Sequence, residues 1–408
     1  RLTVPPAQKA GRSKKGPARR KKKKVALVCA GGGVTGAVYE IGCLRALDEL
    51  LGRSVLDLDL YVGISGGAVV ASLTAAGISP GQMYDEATSR SGGAALGVTA
   101  SPLYRVGVLE FLKRSVRAPR VLTEAITTAL TAEGRNFSDV ALSMFEMLPA
   151  GLLDSSGVQK FLHQLFRSRL RGDSFRKLSR RLLVVAVDID TGEAVAFGAD
   201  GRTDVPVSKA VQASIALPGL YRPVRIDGRD YVDGGVRKTA HINLAIQNGA
   251  DLVICINPIV PFNNPGGEAG PLRGHLSKRG VTWVLDQTLR IMLHGRMELG
   301  LQRYATDYPD VDILVLEPTR DDMQMFSYNI MRYSARKVVA EHGYRTTLDF
   351  FARDAEHYKT LFARHGIRMA DPGLAPEVPP RHPHRSNLAR TLDASLDRLD
   401  SRLRGRRG

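Results

Sequence analysis

The chain has 408 residues, and 43% of them are hydrophobic, which is enough to bury a large core and excludes a disordered or fibrous protein. The net charge of +17 lies mostly at the two ends. Residues 1–24 hold eleven Lys and Arg side chains and no acid, and residues 376–408 hold eight against four acids. The rest carries only +2, so a nucleic-acid partner is not expected. No apolar run approaches the roughly 18 residues of a membrane-spanning helix.

Both ends of the chain are predicted to be basic tails. Residues 1–24 lack apolar periodicity, so we expect a disordered segment that is either attracted to an anionic surface such as a membrane or merely solubilising. Residues 376–408 contain leucines at four- and three-residue steps, which predict an amphipathic helix that pairs with a second copy of the chain or lies on a membrane. Between the tails we expect one domain at residues 25–375, with a helical insert at residues 77–180 that is either a lid or an ordinary helical layer.

The three cysteines, Cys29, Cys43 and Cys255, all lie in apolar segments. This pattern suits a reducing compartment and argues against a disulfide framework. We therefore expect a cytoplasmic protein at the periphery of a membrane. No spacing of metal ligands is present in the sequence, and we expect neither a metal nor an organic cofactor.

A glycine-rich loop follows the first predicted strand. Val25–Ala30 reads as a buried parallel strand, Gly31–Gly36 as the loop, and a helix with one apolar face continues to about Leu51. Such a loop presents backbone N–H groups to negative charge. Two negatively charged groups fit such a loop. One is a dinucleotide pyrophosphate, because the loop satisfies G-x-G-x-x-G, and the other is the oxyanion of an acyl-transfer intermediate.

The second strand ends in a G-x-S-x-G pentapeptide with Ser65 at its centre, at a predicted strand-to-helix junction. Ser65 is the candidate nucleophile. Gly63, Gly66 and Gly67 are expected to let the sharp turn form and to let substrate approach closely. A dinucleotide site would instead need an acidic residue near the end of this strand, whereas Asp57 and Asp59 come at or before its start. The oxyanion is therefore favoured over the nucleotide.

The later segments predict a strand, a helix and a hairpin that leads to a second candidate residue. Leu182–Val187 is a buried strand, and Asp188 after it is expected to cap a turn rather than to orient a catalytic histidine. Val207–Ala216 predicts a helix, and a hairpin at residues 224–232 leads to Asp233. A carboxylate placed before two glycines is accessible enough to act as a general base.

Two long amphipathic helices are predicted beyond this point, at His275–Tyr304 and Gln324–Phe351. Their Met and Phe side chains suit either the core or a wall that holds acyl chains.

Four segments, in this order, resemble the patatin-like phospholipases: Gly31–Gly36, Gly63–Gly67, Ala213–Pro218 and Asp233–Gly235. The resemblance covers about residues 25–260. It implies a three-layer α/β/α fold with a mainly parallel central sheet, extended here by the helical insert and a helical C-terminal region.

The resemblance also implies the roles of the site residues. Ser65 would be the nucleophile, Asp233 the base of a two-residue dyad, and the amides of Gly31, Gly32 and Gly33 the oxyanion hole. The implied activity is that of a lipid acyl hydrolase of the phospholipase A or lysophospholipase type, which cleaves phospholipids or other lipid esters without a cofactor.

The dyad accounts for the lack of a suitable histidine, since His241 comes only eight residues after Asp233 and is predicted to lie within the next helix. The chain differs from the family at Thr35, where Arg or Lys is common, and the lost charge is expected to affect substrate preference or activity. Two other functions stay open at this point: a nucleotide-binding α/β enzyme, and a catalytically weak membrane-associated adaptor.

Overall fold

The computed structural model describes residues 23–89, 150–170, 172–264, 274–326 and 333–374. The two tails and most of the insert lie outside these ranges. The strands are β1 (Val25–Cys29), β2 (Leu60–Ile64), β3 (Gly151–Leu153), β4 (Arg181–Asp188), β5 (Ala194–Phe197), β6 (Gly219–Tyr221), β7 (Val224–Ile226), β8 (Arg229–Asp233), β9 (Leu252–Ile256) and β10 (Asp312–Leu316).

Eight of these strands form one sheet, in the order β10-β9-β1-β2-β4-β8-β7, with β5 paired to β4. The pairs that join β10, β9, β1, β2 and β4 are all parallel, whereas β5, β7 and β8 pair antiparallel. The short strands β3 and β6 form a separate pair. The parallel strands are buried on both faces, which explains why their sequences are nearly continuous apolar runs.

Ten α-helices lie within the described ranges. They are α1 (Gly33–Leu50), α2 (Gly66–Ala75), α3 (Pro80–Thr88), α4 (Ser156–Leu170), α5 (Val207–Ser214), α6 (Ile242–Gln247), α7 (Val281–Asp307), α8 (Met323–Phe326), α9 (Arg336–Ala352) and α10 (Ala355–Arg364). None of the helices in this part of the chain is long and apolar enough to cross a membrane.

Two apolar cores cover the two faces of the sheet. On one face, side chains such as Leu27 and Tyr61 pack beneath α1, α2, α4, α5 and α9. On the other face, Val28 and Val62 pack beneath α6 and α7, which contributes Met297. The three-layer α/β/α fold with a mainly parallel sheet is therefore confirmed.

The long helices after β9 differ from the prediction. The predicted helix His275–Tyr304 begins only at Val281, because Gly280 adopts φ 90°, a left-handed conformation that ends the preceding 3-10 turn. The predicted helix Gln324–Phe351 is represented by the short α8 and by α9, and a 3-10 turn at Tyr333–Ala335 directly precedes α9. Apolar periodicity alone did not reveal these interruptions.

Two glycines allow α1 and α9 to cross at close range. A methyl group at Gly42 of α1 would overlap the carbonyl oxygen of Ala340, and one at Gly343 of α9 would lie against the backbone of Tyr39. The buried thiol of Cys43 lies 3.7 Å from the Gly343 carbonyl at the same crossing. Because α1 begins at the glycine loop, this contact fixes the helix that carries the loop.

We expect Gly42→Ala to destabilise the fold by about 1–3 kcal/mol, because the helices must move apart to admit the methyl group. The matched control is Gly300→Ala in α7, where a methyl group would lie 3.7 Å from Tyr304, an ordinary contact. That variant should gain up to about 1 kcal/mol from the higher helix propensity of Ala. Urea denaturation of the parent and both variants measures the difference. Equal stability of the two variants would contradict the close crossing.

Candidate active site

Ser65 occupies a sharp turn between β2 and α2. It is the N-cap of α2, and its backbone angles are φ 53° and ψ −129°, a conformation that residues with a side chain rarely adopt. The G-x-S-x-G pentapeptide therefore forms a strand–turn–helix elbow. Because it directly follows β2, the serine lies at the carboxyl end of the parallel strands, where open α/β sheets bind ligands.

The glycines around Ser65 serve contacts between backbone segments. A methyl group at Gly66 would overlap the carbonyl oxygen of Gly33, and one at Gly67 would overlap that of Ala30. A methyl group at Gly63 would lie 2.6 Å from the Cα of Ala68. These positions are glycine because α2 begins directly against the end of β1 and the glycine loop. The contacts that require glycine at these positions are internal to the protein, and the close approach of substrate stays a prediction.

Ser214, at the end of α5, supports the backbone of the elbow. The backbone N–H of Ser65 donates a hydrogen bond of 2.9 Å to Ser214 Oγ, and Ser214 Oγ donates one of 2.6 Å to the Val185 carbonyl of β4. No role for Ser214 is predicted from the sequence. The only available signal was its place in the Ala213–Pro218 segment, a serine at the end of a predicted helix.

The strand β4 brings the ends of β2 and β8 together. Along this part of β4 one edge is occupied by β5, so β2 and β8 both lie along the other edge, one after the other. Ile64, the last residue of β2, pairs with Val185, and Asp233, the last residue of β8, pairs with Ala186. Ser65 directly follows Ile64, so the structure brings the two predicted residues to one point of the sheet.

Asp233 is almost completely buried, and its carboxyl group is only partly hydrogen-bonded. The Gly235 N–H donates to Oδ1 at 2.8 Å, whereas Oδ2 has no hydrogen-bond partner among the described residues. Burial raises the pKa of this carboxyl to about 6, although the nearby Ser65 hydroxyl and the Gly235 amide lower it in part. A carboxylate with this pKa is ionised near neutral pH and has a free oxygen that can accept a proton.

The glycine loop lies beside Ser65. A methyl group at Gly31 would be 3.1 Å from the Cβ and 3.6 Å from the Oγ of Ser65, so the loop lies close to the hydroxyl with little room for a side chain between them. Gly32 and Gly33 follow with φ 155° and 61°, conformations that suit glycine, and Pro258 packs against Gly32. The loop opens α1, and the amides of a helix's first turn have no partner within the helix. Backbone donors are therefore placed near Ser65.

The hydrogen bond that the described residues show for His241 is with the Gly234 carbonyl and not with Ser65. His241 precedes α6 as the N-cap in a left-handed conformation, rather than lying within the helix as predicted. Its Nε2 lies 3.2 Å from the Gly234 carbonyl, and burial lowers its pKa to about 4, so the ring is neutral near pH 7. Asp188 accepts a hydrogen bond from the Asp190 amide, so the predicted turn-capping role is confirmed.

The described residues contain no group of three or more His, Cys, Asp or Glu side chains that could hold a metal ion. The cysteines Cys29, Cys43 and Cys255 are buried and unpaired. Thr35, at the start of α1, is also buried.

The fold and the site define an α/β protein that carries a serine elbow, an adjacent glycine loop and a buried aspartate on neighbouring strands. Residues 27–246, more than half of the chain, match the family model described as Patatin-like phospholipase. The chain belongs to this family.

Individual relatives are distant. A probable lipid hydrolase of invertebrate iridescent virus 6 is 21% identical over 227 residues, which cover 54% of this chain and 63% of that protein. An uncharacterized NTE family protein of Mycobacterium tuberculosis is 36% identical over 100 residues, 24% of this chain and 25% of that protein. The chain thus spans less than two thirds of these relatives. The crystal structure of VipD from Legionella pneumophila matches with a TM-score of 0.37 and 14% identity, covering 86% of this chain and 68% of that one.

We expect Ser65→Gly to be more stable than Ser65→Ala by about 1 kcal/mol, because glycine relieves the strain at φ 53° and alanine does not. Neither variant has a hydroxyl, so the comparison isolates the backbone conformation. Thermal and urea unfolding of both variants measure the difference. A less stable Gly variant would mean that the turn is not strained.

We expect Asp233→Asn to change the pH dependence of stability. The folded-state pKa of about 6 lies above the 3.8 of an ordinary Asp, so the fold disfavours the ionised form. Below about pH 4 the Asp233 carboxyl is protonated in both the folded and the unfolded chain, so it does not change the free energy of unfolding. As pH rises towards 6 only the unfolded chain loses the proton, and stability falls by up to about 3 kcal/mol. The Asn variant should escape this loss, and urea unfolding from pH 4 to 7 measures it.

Asp230→Asn serves as the control for that measurement. A hydrogen bond from Arg225 lowers the pKa of Asp230, so the ionised form is favoured by the fold and the pH trend has the opposite sign. A stability difference between parent and Asp233→Asn that stays constant with pH would contradict the raised pKa of Asp233.

Proposed function

We propose that this protein is a lipid acyl hydrolase of the phospholipase A or lysophospholipase type, with Ser65 as nucleophile and Asp233 as base. The observation that carries the proposal is that Ile64, directly before Ser65, and Asp233 pair with consecutive residues along one edge of β4. Membership of the patatin-like phospholipase family supports a lipid substrate, and the viral relative is itself described as a probable lipid hydrolase.

In the first half of the reaction, Asp233 accepts the proton of Ser65 as Oγ attacks the ester carbonyl carbon. The free Oδ2 is the acceptor available for this proton. The tetrahedral intermediate then collapses, the bond to the alcohol oxygen breaks, and Asp233 returns the proton to the leaving alcohol. The fatty-acyl group remains as an ester on Ser65.

In the second half, water takes the place of the alcohol. Asp233 accepts a proton from the water as its oxygen attacks the acyl-enzyme carbonyl. Collapse of this intermediate releases the fatty acid and returns the proton to Ser65. A base with a pKa of about 6 suits both halves, since it is ionised near pH 7 yet basic enough to take a proton in the transition state.

The glycine loop would stabilise the negative charge on the carbonyl oxygen. We assign this oxyanion hole to the backbone amides of Gly31, Gly32 and Gly33, which adjoin Ser65 and lead into the positive end of the α1 dipole. Donors fixed by backbone need no reorganisation during the reaction. Thr35 adds no positive charge, so neutral backbone donors would carry this stabilisation.

The nucleotide-binding alternative has less support. The end of β2 carries Ser65 where a dinucleotide site would place an acid, and Pro258 packs on the loop at Gly32 and Gly36. A catalytically weak membrane adaptor is the remaining alternative, and it predicts lipid binding without turnover.

We also propose that residues 25–375 act as one catalytic domain. β9 and β10 extend the sheet beyond residue 246, where the family match ends, and α9 covers α1. The basic tails would draw the protein to an anionic membrane surface, and the C-terminal amphipathic helix would pair with a second copy. Both tails lie outside the described residues and stay predictions, as does the cytoplasmic location.

We expect Ser65→Ala and Asp233→Asn each to lower hydrolysis of phospholipid by about 10³-fold or more, because each removes one half of a cooperating pair. Ser65→Ala should also abolish labelling by a fluorophosphonate probe. The control is Ser72→Ala in α2, whose hydroxyl bonds only the Val69 carbonyl of its own helix and whose loss should leave turnover intact. A panel of phospholipids and lysophospholipids measures turnover and headgroup preference.

Two outcomes would reject the proposal. Full activity of Ser65→Ala would exclude the dyad. Vesicle binding by the parent protein without hydrolysis of any lipid in the panel would favour the adaptor.

A further inference from the structure

The helix α7 has its apolar side chains on the outside over most of its length. Its outward face carries an apolar stripe formed by exposed Val281, Val284, Leu285, Ile291, Met292 and Leu299. At about 100° per residue these side chains share one side of the helix. Val281 and Leu299 are each 68% exposed, and Leu285 is 61% exposed. A contiguous apolar face of this kind marks an interaction surface.

The opposite face of α7 holds polar groups in the interior. Arg290 and His294 are buried there, and Arg290 is satisfied by Asp286 and by the Val260 carbonyl. Met297 packs into the apolar core beneath the sheet. The helix is therefore anchored through its inner face, and the apolar stripe is not needed for that packing.

The apolar stripe lies beside the candidate active site. Arg296, on its flank, donates a hydrogen bond of 2.8 Å to the carbonyl of Val236. Val236 ends the 3-10 turn that begins directly after Asp233, and its own side chain is 43% exposed. A surface that docked on the stripe would lie against the segment that carries the proposed base.

Positive charge accompanies the apolar stripe. Lys278 and Arg279 precede α7 and Arg296 lies on one flank of the stripe, whereas Arg303 on that flank is paired with Asp307. The acid on the other flank, Glu298, is paired with Arg320. An apolar face bordered by cations matches an anionic bilayer, in which apolar side chains enter the acyl boundary and Lys and Arg contact headgroups.

A second copy of the chain is the competing occupant of this face, and the variants described below separate it from a bilayer.

We propose that the apolar stripe of α7 is the surface on which the protein docks to an anionic lipid bilayer, with the Asp233 side of the site turned towards the membrane. This inference rests on the proposed function, because a lipid hydrolase must reach substrate that is held in a bilayer. It places the membrane contact on the folded domain, in addition to any contact by the tails.

A tryptophan on the apolar stripe provides a direct probe: Met292→Trp in a Trp283→Phe background gives a single indole among the exposed side chains, because Trp283 itself is half-buried against Phe262. Full-length Ser65→Ala protein, which avoids turnover, is mixed with vesicles of phosphatidylserine and phosphatidylcholine, with or without bromine on the phosphatidylcholine acyl chains. We expect the brominated lipid to quench the fluorescence of the tryptophan introduced at position 292. Vesicle binding without quenching would assign the contact to the tails and overturn the proposal.

A paired set of variants tests the apolar stripe itself. Leu285→Asp with Leu299→Asp should weaken binding to these vesicles by about tenfold or more, and hydrolysis of vesicle phospholipid should fall with it. Hydrolysis of the soluble ester p-nitrophenyl butyrate should be unchanged, which shows that the site is intact. The control is Thr282→Asp with Ala305→Asp, which adds the same charges at exposed positions of α7 off the stripe and should bind vesicles like the parent.

Three outcomes separate the competing explanations. Equal vesicle affinity of the stripe variant and the control would reject the docking surface. A parent dimer that dissociates in the stripe variant without loss of vesicle affinity would assign the face to a second copy. If the parent hydrolyses neither lipid nor soluble ester, the proposed function fails, whereas quenching and vesicle affinity still decide the docking surface separately.

Discussion

One edge of β4 determines the geometry of the whole site. The Val185 carbonyl accepts the hydrogen bond from Ser214 that supports the Ser65 amide, and Gly234 packs so closely on the same carbonyl that a methyl group there would overlap it. Val185, in the buried part of β4, thus contacts both the serine that supports the elbow and the glycine that follows Asp233. Neither the elbow nor Asp233 depends on a mobile loop for its placement, so the two groups stand in a fixed relation before any ligand arrives.

Much of the fold could be predicted from the sequence, as could the strand-end positions of the candidate residues Ser65 and Asp233, because their signals are local. The apolar runs of β1, β2 and β9 and the glycines around Ser65 report burial and backbone conformation at their own positions. The position of β8 directly after β2 along the same edge of β4 could not be predicted, because the sequence of a strand does not indicate which distant strand it pairs with. The support from Ser214 was missed for the same reason.

The errors in the prediction of the long helices after β9 have a different origin. Met297 and Met292 are five residues apart in one helix, yet one is buried and the other is half exposed. A pattern of apolar residues indicates a helix but does not say which face packs on the core, and α7 buries Arg290 while exposing Leu299. Only the surrounding structure, which supplies partners for the buried charges, decides which face lies inside.

The order of the site along the chain has a consequence for biosynthesis. Ser214 comes 149 positions after Ser65, and Asp233 comes later still, at the end of a hairpin. A ribosome therefore produces the elbow long before its support and its base exist. Under the proposed mechanism the nascent chain stays inert towards nearby lipids until β8 has paired with β4, so the topology delays activity until that strand has been made.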